Sequence, residues 1–145
     1  MSTTEHPAFV DRAQPESLRG RALWASLSVN DLRRSLAWYR DIVGFTVDRE
    51  HERNGTLAAV SLKAGVVRIL IAQDDGAKGW DRVKGEGLSL TIITAQDVDA
   101  MATRIRERGG TLASDPATTP WGARVFRLKD PDGFTLTISS EFPDA

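Results

Sequence analysis

The alternation of apolar and polar residues from Leu23 to Val29 predicts a strand with two unlike faces. Trp24, Ser26 and Ser28 point one way and Ala25, Leu27 and Val29 the other, because successive side chains of a strand face opposite sides of its sheet. The aliphatic side suits a covering helix. Asn30 and Asp31 then supply oxygens for the unpaired amides of a first helical turn. Leu32, Leu36, Tyr39 and Val43 follow at spacings of four, three and four, which form one stripe on a helix of about 3.6 residues per turn. Gly44 stands where a helix commonly ends in a left-handed residue. Three runs of strand character come next, Phe45 to Glu52, Thr56 to Leu62 and Val66 to Ala72, divided by Arg53-Asn-Gly55 and Lys63-Ala-Gly65. Asn54-Gly55 is a strong tight-turn signal between two such runs. The unit is strand, helix, then three antiparallel strands.

The same order returns sixty-six residues later, carrying Trp24 to Leu90, Asp31 to Asp97, Leu32 to Val98 and Gly44 to Gly110. A period this long marks a duplicated module rather than a solenoid, whose repeats run ~20–50 residues. The second copy predicts a strand at Leu88 to Thr94 and a helix from about Val98 to Arg108. Strands follow at Thr111 to Ala113, Ala123 to Leu128 and Phe134 to Ser139, the last two joined by the turn Asp130-Pro-Asp-Gly133. Residues 1–20, with Pro7, Pro15 and Gly20 and little periodicity, are expected to form an arm, pinned by Phe9 and Val10 to the surface or a partner. Residues 21–145 are expected to form one domain, with module one at about 22–72, a linker at 73–86 and module two at about 87–141.

A length of 145 residues suits one domain, and 41% hydrophobic with 27% charged residues describes an ordinary globular chain. No apolar run is long enough to span a membrane, and the start Met-Ser-Thr-Thr-Glu-His-Pro has neither the basic nor the apolar part of a signal peptide, so a cytoplasmic location is expected. The absence of cysteine excludes disulfides, thiolate metal sites and a cysteine nucleophile. A net charge of -1, with both signs scattered, gives no footprint for nucleic acid. The two histidines are His6, in the expected arm, and His51, among charged residues where a solvated edge position is expected. Ser26 and Ser28 have no evident histidine partner, no Gly-x-Ser-x-Gly elbow is present, and the glycine pairs read as turns rather than phosphate loops.

The run Leu27-Ser-Val-Asn-Asp-Leu-Arg-Arg-Ser-Leu-Ala-Trp-Tyr-Arg-Asp-Ile-Val-Gly-Phe45, the run Asp97-Val-Asp-Ala-Met-Ala-Thr-Arg-Ile-Arg-Glu-Arg-Gly-Gly110 and the turn Asp130-Pro-Asp-Gly-Phe134 resemble the vicinal oxygen chelate superfamily, which includes glyoxalase I, extradiol dioxygenases, fosfomycin resistance enzymes and bleomycin resistance proteins. The likeness covers about residues 22 to 141 and is nearest the bleomycin-resistance-like branch. It implies an α+β fold of two βαβββ modules in tandem, whose curled, mixed and antiparallel sheets enclose a cavity commonly completed by a homodimer.

In metal-using members of that superfamily a histidine precedes the helix-starting Asp by seven residues, which lands on Trp24 and Leu90. A glutamate typically follows the turn glycine by four, which lands on Ile69 and Thr137. Indole and aliphatic groups offer a divalent ion neither lone pair nor charge, so no metal and no cofactor are expected. The resemblance then implies a cavity floored by Trp24, Leu90, Ile69 and Thr137, joined by Ser26, Ser28, Ile92, Thr94 and Thr135. Such an apolar and aromatic lining with a few hydroxyls fits a small-molecule pocket. Thr119-Pro-Trp-Gly-Ala-Arg124 resembles a segment near the cavity mouth in the bleomycin-resistance-like branch, where Trp121 could stack on a planar ligand and Arg124 pair with an anion. Trp80, in the linker, reads as a lid or dimer contact, and Trp38 as helix packing or interface. The expectation is a metal-independent homodimer that sequesters an aromatic or amphipathic small molecule, with no nucleic-acid or membrane partner. The alternative is a lyase, isomerase or dioxygenase relative whose metal site is relocated or absent.

Overall fold

The computed structural model describes residues 18–142. The expected arm therefore lies mostly outside the described residues, as do His6, Phe9 and Val10. Module one consists of β1 (Ala25–Val29), α1 (Leu32–Ala37) running into a π-helical turn (Trp38–Val43), β2 (Thr46–Arg53), β3 (Thr56–Ala64) and β4 (Val67–Gln73). Module two consists of β5 (Ser89–Thr94), α2 (Val98–Glu107), β6 (Ser114–Thr118), β7 (Arg124–Lys129) and β8 (Thr135–Ser140). Each module forms a four-stranded mixed sheet, ordered β1-β4-β3-β2 and β5-β8-β7-β6, with its first and last strands parallel. This is the expected pair of βαβββ units.

Local chemistry explains the boundaries. Asp31 and Asp97 cap the two helices by accepting from the backbone N–H of Arg34 and Ala100, each at 3.1 Å. Asn54 and Gly55 take φ of 54° and 77°, the left-handed pair that a two-residue hairpin turn requires. The first helix widens because Gly44, at φ 109°, sends its N–H to the carbonyl of Tyr39 at 3.0 Å, a five-residue step. Regular 3.6-residue spacing carries no sign of that widening. The strand expected at Thr111 to Ala113 forms instead at Ser114–Thr118. It is an edge strand in which Pro116 is tolerated because its missing N–H has no ladder partner to satisfy.

One face of each sheet packs against its helix, and the two packed faces merge into one core of Leu27, Val29, Tyr39, Val60, Ile71, Ile105, Phe126, Leu128 and Leu136 among others. The modules meet where the turn between β7 and β8 reaches the first helix. Tyr39, fully buried, donates from its hydroxyl to Asp130 Oδ2 at 2.7 Å. Asp132 accepts from the backbone N–H of Asn30 at 2.9 Å and from Ser35 Oγ at 3.3 Å. The other side of this junction is close packing, since a Cβ on Gly110 would stand 2.7 Å from Ile42 and 2.6 Å from Ile105.

The linker is strapped at both ends. Lys84, 8% exposed, donates to Asp74 Oδ2 at 2.5 Å and to the carbonyl of Ser28 at 3.0 Å, while Arg82 donates to the same carboxylate at 2.9 Å. Gly85 lies so close to Phe134 that a Cβ would come within 2.8 Å of its Cα. The hydrogen bond from Lys84, with that from Arg82, holds the Asp74 carboxyl well below the usual carboxylate range. A carboxyl depressed in the folded state contributes stability that is complete above its unfolded value of ~3.9 and is lost as pH falls toward the folded value. Denaturant unfolding from pH 6 down to pH 2 should therefore show wild-type stability falling steeply below about pH 4, and Asp74→Asn should flatten that arm. Parallel profiles for the two proteins would refute the assignment.

Candidate functional site

Parallel and antiparallel partners share a face, so the strand registers sort every side chain into covered or open. In module one Ala25 pairs with Ile69 and Leu27 with Ile71, both on the covered face, and Ile69 is 4% exposed. Ser26 pairs with Leu70 and Ser28 with Ala72 on the open face, which continues through Ser61, Ala59, Arg49 and His51. In module two Leu90 pairs with Leu136 and Ile92 with Ile138 on the covered face. The open face is built from Ser89 beside Thr135, Thr91 beside Thr137, and Ile93 beside Ser139, and continues to Val125, Arg127 and Lys129.

Four expected floor residues are thus corrected. Ile69, Leu90 and Ile92 lie under the helices, together with Thr94, which follows Leu90 and Ile92 in alternation. The physical reason is one residue of chain length: β1 ends two residues before its helix cap at Asp31, whereas β5 ends three before Asp97. A one-residue slip moves every side chain of a strand to the other face. The residue facing the opening at the start of β5 is accordingly Ser89, and its hydroxyl lies 3.4 Å from that of Thr137. In β4 the open residue is Leu70 rather than Ile69, because the glycine of its turn stands one place differently from Gly133 relative to the pairing.

Ser26, Ser28, Thr135 and Thr137 are on the open faces as expected. Trp24 precedes β1 and is 57% exposed, so it does not plug a closed barrel. The expected cavity is not sealed within one chain. Trp121, 62% exposed, sits in the turn before β7. Arg124 is committed elsewhere: its guanidinium donates to both carboxylate oxygens of Asp99 on α2, at 2.9 and 3.0 Å, and so is not a free anion receptor at a mouth. Trp80 is 54% exposed, its ring lies over Gly76, and its carbonyl accepts from Asn30 Nδ2 at 3.0 Å. Trp38 packs against the core edge-on to Tyr39, with centroids 4.8 Å apart.

Sequence reasoning missed part of the site. His51 is exposed on the edge strand β2, as expected, but it also faces the open side, where its Nε2 lies 3.2 Å from Ser61 Oγ. Bulges between Val47 and Arg49 and between His51 and Glu52 set that orientation, and a bulge leaves no simple mark in a hydrophobic pattern. The open faces are also rich in cations. Arg49 and Lys63 flank Ser61 and Arg68 in sheet one, where Arg68 pairs with Asp48 at 2.7 Å, and Arg127 and Lys129 stand beside Thr137 and Thr135 in sheet two. Linker residues Val83 to Leu88 wall the Ser89, Thr135 and Lys129 end of that second face, leaving a depression of about 420 Å³.

These faces do not suit a divalent metal. Trp24 just before β1, and the open positions Leu70 on β4, Ser89 on β5 and Thr137 on β8, supply no imidazole or carboxylate. Among the described residues no three His, Asp or Glu side chains gather where they could hold an ion. What the faces offer is hydroxyls, fixed cations and an indole, which can bind and orient an anionic or hydroxylated ligand.

Known proteins place this architecture. The chain is 25% identical over 135 residues to a putative lactoylglutathione lyase of Brassica oleracea, an alignment covering 89% of this chain but only 47% of that protein, so it spans about half the plant relative's length. It is 26% identical over 125 residues to a lactoylglutathione lyase of Salmonella typhimurium, covering 81% of this chain and 90% of the relative. The fold superposes on a glyoxalase/bleomycin resistance protein/dioxygenase from Nocardioides with a TM-score of 0.69 at 17% identity, over 95% of this chain and 94% of the other. With the family model matched across residues 21–138, and both modules in the order that model spans, the chain belongs to the Glyoxalase/Bleomycin resistance protein/Dioxygenase superfamily.

Proposed function

We propose that this is a metal-independent small-molecule binding protein of the cytoplasm, which holds a partly aromatic, anionic ligand against its open sheet faces. One observation carries the reading: the open faces present hydroxyls and, at Arg49, Lys63, Arg127 and Lys129, cations with no carboxylate partner among the described residues, with an exposed Trp24 just before β1, where a metal-dependent relative needs imidazole and carboxylate. Ser89, Thr91, Thr135 and Thr137 form a contiguous hydroxyl patch with Arg127 and Lys129 at its margin, a set that accepts charge and fixes orientation. Trp24, standing free at the head of β1, supplies a flat apolar surface. Ser89 and Thr91 are exposed while Thr137 beside them is buried, and in this reading a second copy of the chain covers the exposed part, so the ligand site belongs to a homodimer.

Titrating the metal-stripped protein, in the presence of chelator, with a panel of aromatic carboxylates and sulfonates should quench tryptophan fluorescence saturably and raise the melting temperature. Trp24→Ala should weaken the best ligand about tenfold or more, the value of ~1.4 kcal/mol of stacking and burial. The reading fails if no member of the panel binds, or if the protein purified without chelator carries stoichiometric nickel, zinc, iron or manganese.

A second reading, catalysis, is favoured by the lyase names of the relatives and by His51 beside Ser61 on the open face. Its test is turnover of lactoylglutathione without added metal. Loss of that turnover in His51→Ala, with ligand binding retained, would establish the enzyme.

A further inference from the structure

A cleft of about 430 Å³ lies at the module junction, on the far side of the strands from the proposed ligand site, with which it shares only Ile93. Its floor is apolar and drawn from both halves of the chain: Val43, Phe45 and Val67 from module one, Met101, Ile105 and Ile138 from module two. Its rim is basic. Arg104 and Arg108 both line it, four residues apart along the end of α2, together with Gln96.

The electrostatics of this rim are unbalanced. The neighbouring Arg106 pairs with Asp115 and the more distant Arg124 with Asp99, but neither Arg104 nor Arg108 reaches a carboxylate among the described residues. Like charges four apart on a helix surface repel each other. Arg108 also crosses the junction, its Nη1 standing 3.4 Å from where a Cβ on Gly44 would be, so the exposed guanidinium reaches the rim of the cleft. The volume falls within the ~300–1,000 Å³ usual for small-molecule pockets. Met101 at the wall is an adaptable apolar side chain.

We propose that this junction cleft is a second ligand site, which takes an amphipathic monoanion: a hydrocarbon tail laid on Phe45, Val67, Met101 and Ile105, with its carboxylate against Arg104 and Arg108. The complementarity is specific, since an apolar floor alone accepts any alkyl group, whereas two uncompensated guanidinium groups select a charged head. Because both modules contribute to the floor, an occupied cleft also ties the halves together.

The test uses the full-length protein and decanoate, with decanol as the neutral tail of equal length and butyrate as the charged head without a tail. Calorimetric titration should show one saturable decanoate site per chain, with decanol and butyrate each at least about tenfold weaker. Amide chemical shifts of Ile105 and Arg108 should move on titration. The double variant Arg104→Gln, Arg108→Gln, which changes only exposed side chains, should lose at least about tenfold for decanoate while its affinity for decanol is unchanged. Met101→Trp should block both ligands by filling the wall. The cleft contains no tryptophan, so a silent fluorescence titration leaves this site standing and a silent calorimetric one leaves the open-face site standing. The proposal is overturned if decanoate does not bind, if decanol binds equally well, if neither variant alters binding, or if binding appears only after residues 1–17 are deleted, which would make the cleft the seat of that segment.

Discussion

Ile69→Asp should leave the protein unfolded at room temperature, while Leu70→Asp, one residue along the same strand, should leave it folded. Ile69 is 4% exposed and pairs with Ala25 on the face covered by the first helix. Truncating such a side chain costs ~2–5 kcal/mol, and placing an unpaired carboxylate there adds several more. The sum is more than about 5 kcal/mol, comparable with the whole stability of an ordinary domain. Leu70 is half-buried on the open face, between Ser26 and Ser61 and near Arg68 and Lys63, where a new carboxylate meets water and cations and costs about 1 kcal/mol of lost apolar burial. Far-ultraviolet circular dichroism and denaturant midpoints of the two variants decide the matter. A folded Ile69→Asp beside an unfolded Leu70→Asp would invert the face assignment on which the site rests.

Asp130→Ala should cost on the order of 3–5 kcal/mol, whereas Asp130→Asn should cost far less. The carboxylate accepts from Tyr39 Oη at 2.7 Å, from the backbone N–H of Phe134 at 2.8 Å and from that of Asp132 at 2.9 Å. Alanine leaves three donors without a partner in a buried place, each worth ~1–3 kcal/mol and not fully additive. Asparagine keeps an oxygen for the two amides and turns an N–H toward the Tyr39 oxygen. The pair also separates charge from geometry. Burial raises the Asp130 carboxyl above its usual value, outweighing the hydrogen bond from Tyr39, and burial with the adjoining carboxylate pushes the Tyr39 hydroxyl up in turn. An acid raised in the folded state contributes stability that is complete below its unfolded value of ~3.9 and is lost as pH rises through its folded value. Asp130→Asn should remove that loss, so its stability relative to wild type improves as pH rises above about 4. The slope has the opposite sign to that of Asp74 and lies in a higher pH window. An Asp130→Asn protein as damaged as Asp130→Ala would show that charge, not geometry, holds the turn.

The fold was readable in the sequence because its signals are local and redundant. Asp31 and Asp97 cap, Leu32 to Val43 form a stripe, Asn54-Gly55 and Asp130 to Gly133 turn the chain, and the same order occurs twice. The site was only partly readable, because whether a strand residue faces in or out depends on a single residue of spacing. Counting back from the helix cap puts Ser26 and Ser28 on the open face but Leu90 on the wrong side, since the segment between β5 and its cap is one residue longer than its counterpart in module one. His51 was read correctly as an exposed edge residue, but its contact with Ser61 was not legible, because two bulges in β2 set its direction. Arg124 was misjudged because its partner Asp99 lies on a helix twenty-five residues away in sequence, a contact no spacing rule reveals. Tyr39 and Asp130, ninety-one residues apart, form the inter-module bond by a pairing just as invisible in the chain.

The strapped linker has a consequence for how the protein behaves on dilution. A connector anchored at Lys84 on one module and packed at Gly85 against the other holds the halves at an effective concentration in the millimolar range typical of short tethers. The bond between Tyr39 and Asp130 therefore forms at any protein concentration, and the junction cleft is a property of the single chain. The open-face site of the proposed homodimer would follow mass action instead. Ligand affinity in the first should be indifferent to nanomolar dilution, while in the second it should fade as the copies part.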